Sequence, residues 1–158
     1  MKNAHRPELI ISPYLRDIYD PEKVGATFEW LRRSIDARRE EFDGLVFTGS
    51  SGAIALAVGI SLGLPVTHVR KDLGHSYTPV EGAVVPRYAI VDDFVDTGAT
   101  IERVVQRVTE NHRDRLQEPP SFPLMFLYHS RTGTSDPISV RHVLNTHGIR
   151  AVMRARDY

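Results

Sequence analysis

The sequence predicts an α/β domain: a mostly parallel, twisted sheet with helices on both faces. Three observations carry this. Continuously apolar runs recur at 45–47, 88–91 and 124–128, and short runs without polar alternation read as strands buried on both faces. Helix-like stretches at 53–62 and 99–112 separate them, the alternation that builds parallel sheets. Polar segments follow Phe47, Arg70 and Val91. In an open parallel sheet such segments gather beyond the carboxyl ends of the strands, where ligands bind.

The 158 residues, 41% of them hydrophobic, have the size and composition of one domain, taken as 1–158. The chain has no Cys, which excludes disulfides and thiolate metal sites. Lys plus Arg and Asp plus Glu number 20 each, for zero formal charge. That balance argues against a nucleic-acid or membrane surface. No apolar stretch is long enough to span a bilayer, and the basic start Met1-Lys2 has no apolar run behind it. The expected location is the cytoplasm.

The elements follow in order. Residues 9–12 read as a short first strand or extended arm. Asp20-Pro21-Glu22 marks a helix start, with Asp as N-cap and Pro in the first turn. That helix carries Val24, Phe28, Leu31 and Ile35 on one face and is expected to end near Phe42. A buried strand at 45–47 leads into the turn Thr48-Gly49-Ser50-Ser51-Gly52, then into a helix of small residues closing at Gly63. Residues 65–70 form a second strand, and 71–86 a long polar loop of the kind that is usually functional or disordered. Strand 88–91, helix 99–112, strand 124–128, a short helix at 139–146 and a strand at 149–153 complete the chain. The histidines show no metal-ligand spacing, and Trp30 reads as core or interface.

The chemistry concentrates in Asp92-Asp93-Phe94-Val95-Asp96-Thr97-Gly98-Ala99-Thr100. Two adjacent carboxylates at the end of a buried strand are costly unless something cationic or hydroxylated meets them. Vicinal ribose hydroxyls or a hydrated magnesium ion would do so. Thr97 to Thr100 open a helix with free backbone N–H groups and two hydroxyls, which suits a phosphate. The bland alternative is a buried strand followed by a capped helix.

The run at residues 88–100 resembles the signature of type I phosphoribosyltransferases. It has four apolar strand residues, two acids, two apolar residues, a variable residue and Thr-Gly-x-Thr. The resemblance implies a single-domain fold of that type with a small hood built from the termini. It implies that Asp92 and Asp93 hold the ribose hydroxyls of phosphoribosyl pyrophosphate (PRPP), partly through Mg2+. It implies that Asp96, Thr97, Gly98, Ala99 and Thr100 wrap the 5-phosphate. Thr48, Gly49, Ser50, Ser51 and Gly52 then correspond to a pyrophosphate loop, whose glycines let amides approach charged oxygens. Arg70 and Lys71 correspond to cations on the pyrophosphate and are assigned to catalysis with Asp96. The segment holding Gly74, His75, Ser76 and Tyr77 corresponds to a closing lid. An acid at Asp96 is similar to 6-oxopurine enzymes, where it is a candidate general base. The Lys those enzymes carry on the next strand is missing, which leaves the base open. Phe94, Tyr128 and His129 are the weak candidates for contacting it, Tyr128 by stacking on its ring.

The expected activity is Mg-dependent transfer of the phosphoribosyl group to a purine or related nitrogenous base, as in purine salvage. The alternative is a non-catalytic regulatory module that binds PRPP with the same fold. The partners expected are PRPP and a base, with no nucleic acid or membrane, and with a homodimer as candidate assembly.

Overall fold

The computed structural model describes residues 16–74, 77–129 and 136–154. The arm at 9–12, both terminal segments of the expected hood, and His75 and Ser76 of the expected lid lie outside the described residues.

The helix expected after Asp20 is preceded by a short one, α1 (Arg16–Tyr19), and starts later, as α2 (Val24–Asp36). Asp20 shapes its entry: the side chain accepts from Glu22 N–H at 3.0 Å, and the carbonyl accepts from Lys23 and Val24. Thr27, Leu31 and Ile35 are buried. The helix stops at Asp36 rather than near Phe42. Residues 36–41 carry five charged side chains and no apolar stripe, so only a 3-10 turn, Arg39–Glu41, follows before Phe42 drops into the core, 2% exposed.

Strand β1 (Gly44–Thr48) is buried along its length, as the unbroken apolar run requires. A 3-10 turn (Gly49–Ser51) leads into α3 (Gly52–Leu62), which ends on Gly63 with φ 62°, a left-handed C-cap. Strand β2 (Val66–Val69) follows. The long polar segment then departs from expectation. It contains β3 (Val80–Gly82), antiparallel to β2 with Val80 opposite Val69. Val80 is buried beside the sheet, enough to hold a short edge strand that no apolar run announced. Strand β4 (Arg87–Asp92) and helix α4 (Ala99–His112) match expectation closely. Strand β5 (Ser121–Leu127) begins earlier than expected and includes Pro123. The pairing of β4 with β5 shifts register between Arg87 and Ala89, an irregularity of the kind that tolerates proline inside a sheet. Helix α5 (Pro137–Thr146), capped by Asp136 on Ser139 N–H at 3.0 Å, and strand β6 (Arg150–Met153) close the fold.

Among the described residues the sheet has six strands in the order β3-β2-β1-β4-β5-β6, parallel except for β3. Side chains alternate between its faces. Leu45, Phe47, Ala89, Val91, Leu124 and Phe126 join the core under α2 and α3. Val46, Ile90 and Met125 join the one under α4 and α5. The chain runs outward from β1 to β2 and returns on the other side as β4. The strand order therefore reverses between β1 and β4, and a crevice opens at their carboxyl ends.

Candidate active site

A cleft of about 170 Å³ occupies that crevice. One wall comes from the end of β1 and the turn after it, through Thr48 and Ser50, with Lys71 from the end of β2. The floor and the other wall come from Asp92 to Ile101 without a break. Three segments distant in sequence meet here because their strands are parallel neighbours.

The acid pair is built differently at its two members. Asp92 is 8% exposed. Its Oδ1 accepts from Ser51 Oγ at 3.0 Å and from Asp93 N–H at 2.9 Å. Burial, and then the Asp93 charge beside it, push its carboxyl up to about 7. Asp93 is half-buried and accepts from Phe94 N–H at 2.8 Å. Among the described residues no group of three His, Asp or Glu side chains gathers that could hold a metal. Two carboxylates alone still fit magnesium, which is usually held by one or two carboxylates plus water and substrate oxygens.

Asp96 and Thr97 are exposed on the cleft wall. Gly98 has φ 87°, a conformation L side chains rarely adopt, and it precedes α4. A Cβ there would come 3.0 Å from Val143 Cγ2 of α5. The first helical bond runs from Glu102 N–H to Gly98 at 3.1 Å, so the N–H groups ahead of it have no helical carbonyl to meet. They lie beside the cleft at the positive end of the α4 dipole, a geometry that suits an anion.

The turn after β1 splits. Thr48 and Ser50 line the cleft, and Thr48 Oγ1 is buried without a hydrogen-bond partner among the described residues. Gly49 has φ 61°, and a Cβ on it would stand 2.8 Å from Lys71 Cε and 3.0 Å from Nζ. The Lys71 ammonium therefore lies directly over this turn. Ser51, by contrast, faces inward and is fully buried. Gly52 starts α3 where a Cβ would strike the Phe47 ring at 2.6 Å, so it serves packing.

Arg70 does not line the cleft. Its guanidinium pairs with Glu81 at 2.7 Å across the β2–β3 hairpin, because alternation along the strand end sends adjacent side chains to opposite sides. Gly74 and Tyr77 are exposed on the segment beyond Lys71. Phe94 lines the cleft, its ring 6.1 Å from the ring of His129. His129 is held by Asp17 of α1 through Nδ1, 2.5 Å away, and by its own N–H on the Asp93 carbonyl at 2.9 Å. Tyr128 corrects the sequence reading. It is fully buried and cannot stack on a ligand; its hydroxyl meets Ser51 Oγ at 3.2 Å.

The sequence reading missed two contributors and gave a third a different role. Arg107 of α4 donates to the carbonyls of Arg70 and, at 3.2 Å, Lys71, fixing the start of the segment that carries the cleft lysine. Asp17 and the hydroxyl of Tyr128 are the others. No sequence signal marks Asp17 or Arg107, whose partners lie far away in the chain. Tyr128, at the end of an apolar run, was visible but could not be aimed.

A doubly wound sheet with a cleft at the switch point defines the class: an α/β domain with its candidate site beyond β1 and β4. More narrowly, the chain has the type I phosphoribosyltransferase fold. It matches the orotate phosphoribosyltransferase of Aeropyrum pernix with TM-score 0.61 and 19% identity, over 87% of this chain and 73% of that one. It matches a phosphoribosyltransferase of Corynebacterium diphtheriae at 0.58 and 16%, over 88% and 82%. It matches the adenine phosphoribosyltransferase of Thermoanaerobacter pseudethanolicus at 0.53 and 18%, over 86% and 83%. No family model matches the chain, and no curated protein matches it by sequence. Among the described residues no helix is long and apolar enough to cross a membrane.

Proposed function

We propose that this chain transfers the phosphoribosyl group of PRPP to a nitrogenous base and releases pyrophosphate. One observation carries the reading. An acid pair and an open helix N-terminus share one small cleft with Lys71, Thr48 and Ser50, and the phosphoribosyltransferase fold is where that combination has a use. In this reading the 5-phosphate sits on the start of α4. The ribose hydroxyls meet Asp92 and Asp93, and the pyrophosphate lies between Lys71 and the turn after β1. Magnesium, when bound by the acid pair and substrate oxygens, supplies charge neutralisation for the leaving group.

The C1–O bond to pyrophosphate breaks, and its electron pair leaves on the pyrophosphate oxygen. A ring nitrogen of the base forms the new bond to C1 and loses its proton. Asp96, on the cleft wall, is the group we assign to accept that proton, which supports a purine or related base as acceptor. Lys71 holds the departing negative charge. The residues after Lys71 serve as a lid that excludes water from the reacting carbon. A homodimer belongs to the proposal as well, since α3 turns Leu56 and Ile60, 49% and 72% exposed, away from the core.

The test is calorimetric titration with PRPP and magnesium, then a pyrophosphate-release screen over purine and pyrimidine bases. Binding with release for one base is the expected result. Binding without release would favour the regulatory module, and no binding would overturn the proposal.

A further inference from the structure

We infer that Ser51 and Tyr128 are positioning residues, a buried hydroxyl relay that aims Asp92 at the cleft and ties the turn after β1 to the acid pair after β4. The inference rests on the phosphoribosyl reading and goes beyond it, because neither hydroxyl faces the cleft. Ser51 and Tyr128 are both fully buried. Ser51 Oγ lies 3.0 Å from Asp92 Oδ1 and 3.2 Å from the Tyr128 hydroxyl. A serine hydroxyl has one proton. With that proton directed to the carboxylate, the Tyr128 phenol becomes the donor to Ser51. Burial of Tyr128 keeps its phenol protonated, so it remains a donor.

The relay has a geometric consequence. Asp92 Oδ1 receives both the Ser51 hydroxyl and Asp93 N–H, which leaves the other carboxylate oxygen for the cleft that Asp92 lines. A carboxylate held by two donors cannot swing when a ligand arrives, so its orientation is set in advance. Ser51 also belongs to the 3-10 turn that presents Ser50 to the cleft. The relay thereby fixes the spacing between the two ends of the site, the ribose end and the pyrophosphate end. Three hydroxyl or carboxyl groups, from the turn after β1, the end of β4 and the residue after β5, meet in a buried setting, where each link is stronger than it would be in water.

The test is a double-mutant cycle with Ser51→Ala and Tyr128→Phe, read by PRPP–magnesium calorimetry and steady-state kinetics. Ser51→Ala is expected to weaken PRPP about tenfold, the scale of one hydrogen bond to a charged group. Tyr128→Phe is expected to weaken it roughly threefold. The double variant should bind no worse than Ser51→Ala alone, because Tyr128 acts only through Ser51. KM for PRPP should rise while KM for the base holds. If Ser51→Ala does not fold, Ser51→Cys replaces it in the cycle. Additive losses, or variants that bind PRPP like the wild type, would overturn the relay. A wild type that does not bind PRPP would overturn the phosphoribosyl reading itself, and the relay with it, before any variant is made.

Discussion

Replacing Asp92 with Asn should make the ligand-free protein more stable at neutral pH while destroying its function. Asp92 is buried, and its carboxyl is raised from 3.8 to about 7 by burial and by the neighbouring Asp93 charge. A rise of that size, at 1.36 kcal/mol per unit, is on the order of 4 kcal/mol. The folded state holds a proton on Asp92 that the unfolded chain gives up above 3.8. The stability this proton contributes is complete below that pH and is lost as pH rises to about 7. The Asn amide keeps an oxygen for Ser51 and Asp93 N–H but carries no charge. Its stability relative to wild type should therefore be close to zero near pH 4, climb through pH 5 and 6, and level off above 7. At roughly 2–4 °C per kcal/mol for a chain of this size, the plateau is a melting-temperature gain on the order of 10 °C. Thermal unfolding of both proteins from pH 4 to 8.5 measures it, and the difference between the curves cancels the titrating groups that do not interact with Asp92. An Asn variant that is less stable at pH 8, or a gap that does not change with pH, would refute the reasoning. The same variant should lose PRPP–magnesium binding, a trade of stability for function common in active sites.

Three other predictions address the cleft. Asp96→Asn should lower turnover by about 10²-fold or more while changing PRPP affinity little, as loss of a general base does; single-turnover and binding measurements separate the two. Lys71→Ala should weaken PRPP about tenfold or more in calorimetry, whereas Arg70→Ala, whose partner is Glu81, should change it less than about threefold and lower the melting temperature instead. Limited proteolysis between Lys71 and Pro79 should slow when PRPP and magnesium are added, and unchanged cleavage would remove the lid from the mechanism.

The parallel sheet, most of its strands and the acidic loop were legible because their signals are local. Val46, Ile90 and Met125 sit in continuous apolar runs, and only a strand buried on both faces accommodates such runs. Asp92, Asp93 and Thr97-Gly98 occupy one stretch of chain, so the strand end and helix start that present them came with the motif. The edge strand β3 was not legible. Its one buried side chain is Val80, and its partner β2 supplies the rest of its stability through the backbone.

Side-chain direction was the larger gap. The turn Thr48 to Gly52 read as one phosphate loop, but the structure sends Thr48 and Ser50 to the cleft and Ser51 into the core. Arg70 and Lys71 read as a pair, and the chain turns them to different partners. Tyr128 read as a surface for a base, and burial made it a support beneath the acids. The sequence alone determined which chemical groups are available, which segments are strands, and that the polar segments lie at one edge of the sheet. The tertiary structure decided which of those groups face the cleft and which lie behind it. A side chain's direction depends on the strand order and on neighbours far away in the chain, 112 residues in the case of Asp17 and His129, and neither is encoded in the local pattern.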